Sequence, residues 1–336
     1  MIFYKTNKED DPYFSTIWKT PQWLDPIKNA KIIKFPKTIT NEVTNRCNSR
    51  CIFCSRQLME REEGDMSLSC VERILKECSK HSAAIRHGGW GETLMHPRIV
   101  DIVELSKKYN VLTTIFTNGN LLAEENVRSF IKSGLDELRF STTGMTESEH
   151  NYLRRGSNYI KDFAEKVRMV SNLKKEMKSK KPYLTIYKTV INYDETIVKD
   201  NINEFVSSYL EMVDKIDIDL TNFHRVRHLD NVKGASKRQK VLRDNQFCVD
   251  LFLTSIIHWN GDIFACDEPY NFEEKYYLGN INKGESIENG WNSEKINMLR
   301  EKLSYSLEYS NDGLCKDCFI STTKWDDKEY WQDKRV

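Results

Sequence analysis

The chain has 336 residues, enough for one large core with a smaller appendage or second domain. Hydrophobic residues at 39%, aromatics at 11% and charged residues at 30% describe an ordinary globular protein and exclude a disordered or fibrous one. Lys+Arg 51 against Asp+Glu 50 leaves a net charge of +1, which provides no bulk field for nucleic acid or anionic membrane, and no apolar run nears the ~20 residues that span a bilayer.

The start, Met1-Ile2-Phe3-Tyr4-Lys5-Thr6, lacks the basic-then-apolar layout of a signal peptide, so a cytoplasmic location is expected. Residues 1–37 form a lead-in with Trp18, Pro21, Trp23 and Pro26 but no sustained period, read as partly helical. From Thr38 onward strand-like runs alternate with helical patterns. The predicted strands are Thr38–Val43, Ala83–Arg86, Val111–Thr117, Glu137–Ser141, Tyr183–Val190 and Lys215–Leu220. One helix between them starts near Pro97, another runs from Ala123 to Ser133 and stops at Gly134, and a longer one aligns Phe163, Val167, Val170 and Leu173. Such alternation predicts an α/β fold of parallel βαβ units, a partial (β/α)6 TIM-like barrel with its chemistry at the C-terminal strand ends. Residues 226–247 read as a connector. Beyond it, Ser255–Trp259 and Asp262–Cys266 form a β-hairpin across Asn260-Gly261. The expected organisation is lead-in 1–37, barrel 38–225, connector 226–247, a small C-terminal domain 248–325 and a tail 326–336.

Nine cysteines in a chain of this kind argue for metal or redox use rather than a disulfide frame. Cys47, Cys51 and Cys54 follow the first predicted strand with spacing C-x3-C-x2-C, and no fourth ligand stands nearby. Three thiolates can hold three irons of a [4Fe–4S] cluster and leave the fourth iron open, whereas structural zinc wants a closed shell of four. Cys248, Cys266, Cys315 and Cys318 form a second group. Four thiolates suit either a fully ligated cluster or a zinc ribbon. Cys70 and Cys78 lie two turns apart on the first predicted helix, as apolar packers or as thiol hydrogen donors.

The first motif resembles the cluster loop of the radical S-adenosylmethionine (SAM) superfamily. Trp90-Gly91-Glu92-Thr93-Leu94 resembles that family's Gly-Gly-Glu-Pro-Leu segment, with Trp90 in place of the first glycine and Thr93 in place of the proline. Thr117-Asn118-Gly119 is similar to a frequent signature at the third strand end. Ser141-Thr142-Thr143-Gly144, followed by His150 and Arg154-Arg155-Gly156, resembles the Ser-x-Asp-Gly…His…Arg-Gly stretch, with Thr143 where aspartate often stands. The resemblance implies SAM contacts at Gly91, Glu92, Asn118, Ser141 and Arg154. The C-terminal third resembles the SPASM/twitch extension, which implies an auxiliary [4Fe–4S] cluster on Cys248, Cys266, Cys315 and Cys318. Phe319–Val336 holds no further cysteine, as in the one-cluster twitch variant.

The resemblance further implies reductive cleavage of SAM to a 5′-deoxyadenosyl radical and an electron donor such as flavodoxin or ferredoxin. Oxidation of a sugar or aminocyclitol-like metabolite is the leading expectation, with the auxiliary cluster as electron acceptor. Asn222, His224, Arg225 and His228, after the sixth strand, are the candidate substrate contacts. The alternatives are a peptide epimerase or crosslinking maturase, disfavoured by a lead-in too short for a winged-helix leader-binding domain, and a non-catalytic zinc-binding interaction protein.

Overall fold

The computed structural model describes residues 2–5, 33–156, 160–190, 195–219, 250–305 and 332–335. Six parallel strands form its centre: β2 (Thr38–Asn41), β4 (Ala84–His87), β5 (Thr113–Thr117), β6 (Glu137–Thr143), β8 (Tyr183–Thr189) and β9 (Lys215–Asp219). The helices between them are α1 (Leu68–His81), α2 (Ile99–Lys108), α3 (Glu124–Ser133), α4 (Glu147–Leu153), α5 (Ile160–Glu176) and α6 (Glu195–Tyr209). This is the α/β partial barrel that the strand–helix alternation predicts. The predicted strands are met within a few residues, Leu220 lying outside the described residues.

Two further strands add to one side. The strand β1 (Ile2–Lys5), in the stretch read as partly helical, runs antiparallel to β9, and β13 (Gln332–Arg335) runs parallel to β1. On the other side β10 (Thr254–Ile257) lies parallel to β2, with Thr254 opposite Thr38 and Ile257 opposite Asn41. Antiparallel β11 (Asp262–Phe264) and β12 (Tyr277–Asn280) follow, so the hairpin predicted at Asn260-Gly261 continues the barrel sheet itself. Gly261 turns with φ +89, a conformation that glycine adopts without strain. The sheet order is β12-β11-β10-β2-β4-β5-β6-β8-β9-β1-β13. A separate ribbon pairs β3 (Arg50–Cys51) with β7 (Arg154–Arg155).

Alternation along the strands sorts the two faces of the sheet. Ile39, Ile85, Ile115, Leu138, Ile186 and Ile216 join the main core beneath the helices, together with Ile74, Ile102, Phe130 and Val167. Gly134 (φ 75) ends α3 with its amide bonded back into the helix. Ser67 caps α1 by accepting from the amide of Cys70 at 3.2 Å. A second core lies under the C-terminal hairpin, where Leu251, Phe252, Phe264, Cys266, Tyr276 and Ile296 pack together. The short helix α7 (Asp250–Leu253) leads into it, and α8 (Ile287–Trp291) and α9 (Glu294–Tyr305) lie beside it.

Candidate functional site

The loop after β2 carries Cys47, Cys51 and Cys54, each half-buried and free. Two ion pairs, Arg46–Asp65 and Arg56–Glu63, hold it from within. A third joins Arg61 to fully buried Glu42 at the end of β2, with both guanidinium nitrogens 2.8 Å from the carboxylate. Burial pushes the Cys47 thiol up to about 11 and Cys54 up to about 12. Cys51 is also raised by burial, with Arg154 pulling the other way. Each thiol must therefore lose a proton as metal enters, and the metal's charge supplies the compensation. Among the described residues no three His, Cys, Asp or Glu side chains converge on a single metal ion. Three thiols on one loop, with no fourth, fit a [4Fe–4S] cluster with an open iron.

The other strand ends are fastened to this loop. Glu92 donates its backbone N–H to the Arg46 carbonyl at 2.8 Å. A Cβ on Gly91 would stand 2.1 Å from the Thr44 carbonyl oxygen, so only glycine fits beneath the loop. The buried Glu92 carboxylate accepts from Thr117 Oγ1 at 2.7 Å, the Asn118 amide at 2.8 Å and the Leu94 amide at 3.1 Å. Its side chain is thus a brace between two strand ends. Asn118 Nδ2 donates to Asn48 Oδ1 at 2.9 Å and Ser49 Oγ at 3.1 Å. Arg154 donates to Thr143 Oγ1 at 2.9 Å and Ser141 Oγ at 2.6 Å, and lies directly across the ribbon from Cys51. Residues from four distant stretches of chain therefore meet around one loop of cysteines.

The sheet face away from the helices is polar. Buried Glu137 accepts from Thr114 at 2.9 Å, Thr185 at 2.7 Å and Arg139 at 3.3 Å. Arg139 reaches Asp217 at 3.0 Å and lies over the rings of Phe116 (5.2 Å) and Tyr187 (6.0 Å). Asp217 is 1% exposed and also pairs with Lys215 at 3.2 Å. Its second oxygen, Oδ1, is buried with no hydrogen-bond partner among the described residues.

Family models match the chain over two stretches: residues 41–195 fit the radical SAM superfamily and residues 248–319 an iron–sulfur cluster-binding domain called SPASM. The chain belongs to the radical SAM superfamily. These domains imply SAM, a SAM-binding [4Fe–4S] cluster and an auxiliary cluster. This radical SAM protein is 27% identical over 327 residues to the tungsten-containing aldehyde ferredoxin oxidoreductase cofactor-modifying protein of Pyrococcus furiosus, covering 85% of this chain and 90% of the relative. It is 26% identical over 114 residues to the PqqA peptide cyclase of Gluconobacter oxydans, covering 34% of this chain and 32% of that protein. Two solved structures share its fold. BtrN in complex with AdoMet and 2-DOIA has a TM-score of 0.54 and 17% identity, covering 84% of this chain and 92% of BtrN. Streptococcus suis SuiB bound to S-adenosylmethionine has a TM-score of 0.57 and 15% identity, covering 96% of this chain and 82% of SuiB.

Within this radical SAM protein Cys70 and Cys78 are fully buried in the main core, on the inward face of α1. Of the two readings given above, packing is the one this burial favours. Burial raises both thiols, with Arg73 bonded to Cys70 and pulling the other way. Cys266 is buried at the edge of the second core, while Cys248, Cys315 and Cys318 lie outside the described residues, as do Asn222, His224, Arg225 and His228. No described helix is long and apolar enough to cross a membrane. Sequence reasoning missed the Glu137, Arg139 and Asp217 network. Its signal is a charge at alternate positions of apolar strands, Glu137-Leu138-Arg139 and Lys215-Ile216-Asp217.

Proposed function

We propose that the protein oxidises a small polar metabolite held against the inner face of its barrel, with Asp217 and Arg139 as substrate contacts. The bound SAM-binding cluster would supply the electron that cleaves SAM to the 5′-deoxyadenosyl radical, which takes hydrogen from the substrate. The chain's own residues bind and orient. The Gly91 and Glu92 backbone, clamped under the cysteine loop, would receive the SAM amino group. Ser141, Arg154 and Asn118 border the same space, with Arg154 the cation for its carboxylate. Cys266, with Cys248, Cys315 and Cys318, would hold the auxiliary cluster, which would supply an acceptor for the second electron of the oxidation.

The observation that carries the substrate class is the buried Asp217 oxygen without a partner, beside an arginine flanked by two aromatic rings. A buried carboxylate oxygen left unpaired is costly, and a hydroxyl or ammonium of a ligand would satisfy it. The relative that matches most of the chain is named for modifying a cofactor, and the peptide cyclase matches only a third of it, which favours the small-molecule reading over a peptide epimerase or maturase. The external reductant, a flavodoxin or ferredoxin, would meet the solvent side of the β3–β7 ribbon. There Arg50 and Arg155 stand opposite each other, both exposed, one residue from Cys51.

Anaerobic reconstitution tests the chemistry. Iron with broad absorbance near 400 nm and 5′-deoxyadenosine formed on reduction are expected, and zinc without iron would sink the enzymatic reading in favour of an interaction protein. Products made in deuterated water separate net oxidation, with loss of two hydrogens, from epimerisation, with deuterium kept at carbon. Once a substrate is found, Asp217→Asn should raise its KM about tenfold, while 5′-deoxyadenosine formation without substrate stays unchanged.

A further inference from the structure

The position before Gly91 is where this chain departs from the glycine of the family pattern, and the structure shows where the added indole goes. Trp90 turns out of the barrel and packs against the second core, the one that contains Cys266. Its Nε1 donates to the Pro269 carbonyl at 2.8 Å, and its ring meets Tyr270 edge-on at 5.8 Å. The same carbonyl is bonded to His258 Nε2 at 2.9 Å.

The segment that Trp90 reaches, residues 266–271, is fixed in three other ways. Asp267 pairs with Arg86 of β4 and accepts from Thr40 of β2 at 3.0 Å. The Tyr270 carbonyl accepts from Arg61 of the cysteine loop at 2.6 Å. Asn271 accepts from the Glu60 amide at 2.8 Å and donates to the Leu58 carbonyl at 3.2 Å. The cysteine loop, the Gly91–Glu92 segment and the loop after Cys266 thus brace one another in a closed triangle. Trp90 forms the side that joins the last two. A carbonyl held from both sides and a glycine clamped under a backbone leave little slack, so a shift at Cys266 must be passed to Gly91.

We propose that Trp90 is a positioning residue that couples the ligation state of Cys266 to SAM binding at Gly91–Glu92. This rests on the SAM site proposed above. By linkage the coupling runs both ways: loading at Cys266 tightens SAM, and SAM strengthens ligation at Cys266 by the same factor.

The test uses the full chain, reconstituted anaerobically as wild type, Trp90→Phe, Trp90→Gly, Cys266→Ala and the two double variants. SAM affinity is measured by equilibrium dialysis, and the reduced clusters are followed by electron paramagnetic resonance with and without SAM. Trp90→Phe keeps the ring and loses only the N–H donor, and should weaken SAM about fivefold with an unchanged melting temperature. Cys266→Ala should weaken SAM about fivefold in the wild-type background and add little once Trp90 is changed. The SAM-induced change in the auxiliary signal should shrink in Trp90→Gly. Equal SAM affinity in wild type and Trp90→Gly, or a Cys266→Ala effect that is the same with and without Trp90, overturns the coupling. Wild type that binds no SAM overturns the site assignment itself, a different failure.

Discussion

Two loops that leave neighbouring parts of one sheet make a useful contrast. The loop after β2 holds three cysteines within eight residues, from Cys47 to Cys54, and ties itself together with its own ion pairs, Arg46–Asp65 and Arg56–Glu63. The loop after β11 offers Cys266 alone, and its Pro269, Tyr270 and Asn271 bond to partners some two hundred residues earlier, namely Trp90, Arg61 and Glu60. The first, a ligand cradle, draws its three ligands and two of its ion pairs from one stretch of chain. The second is a brace whose shape depends on what it leans against. The ligand spacing of the first is written locally in the sequence, whereas a brace exists only once the tertiary fold is in place.

Substitutions can break or sharpen that contrast. Cys51→Ala in the cradle should abolish 5′-deoxyadenosine formation and cut the iron content to roughly half of that in a two-cluster protein. Retention of both would mean that the cradle is not the SAM site. Next in size is the joint between the loops. Glu42→Gln leaves the Arg61 guanidinium facing a neutral partner in a buried setting and should cost about 3–5 kcal/mol, read from urea unfolding. A loss under ~1 kcal/mol would show that water reaches the pair. Asn271→Ala, on the brace alone, should cost only about 1 kcal/mol and leave the cradle's cluster spectrum unaltered.

A further effect lies away from both loops. Lys188 of β8 is buried, donates to the Gly144 carbonyl and sits 4.0 Å from the Phe205 ring centroid. Burial, with Arg154 adding to it, lowers its pKa to about 7 from an ordinary 10.5. Between those values the unfolded chain holds a proton that the folded chain does not, so stability should rise with pH across that window. Lys188→Met should flatten this rise in urea midpoints taken at pH 7 and pH 9, and an unchanged slope would place the titration elsewhere.

The same contrast explains what could be read from the sequence. The cradle was legible because its ligands are close in the chain, and the six central strands because period-2 alternation persists where one face is buried. Gly134 was legible as a helix stop for its backbone alone. The Glu137–Arg139–Asp217 network was not, since Asp217 lies 78 residues from Arg139 and only the order of strands brings them together. Strand β1 was missed for a similar reason: four residues, Ile2–Lys5, acquire strand character from pairing with β9. Cys70 and Cys78 were given a chemical alternative because a thiol's type says nothing about whether it faces a site or a core.

The parallel pairing of β10 with β2 has a consequence for the order in which the protein is made. When the ribosome has delivered the three cysteines, β2 still lacks the strand that will cover one of its edges, and that strand comes more than two hundred residues later. Until then one edge of a buried parallel strand is open, and the cradle lacks the Tyr270 and Asn271 wall beside it. Cluster assembly therefore belongs after synthesis of the chain, and a nascent chain halted before Thr254 should neither retain iron nor stay monodisperse.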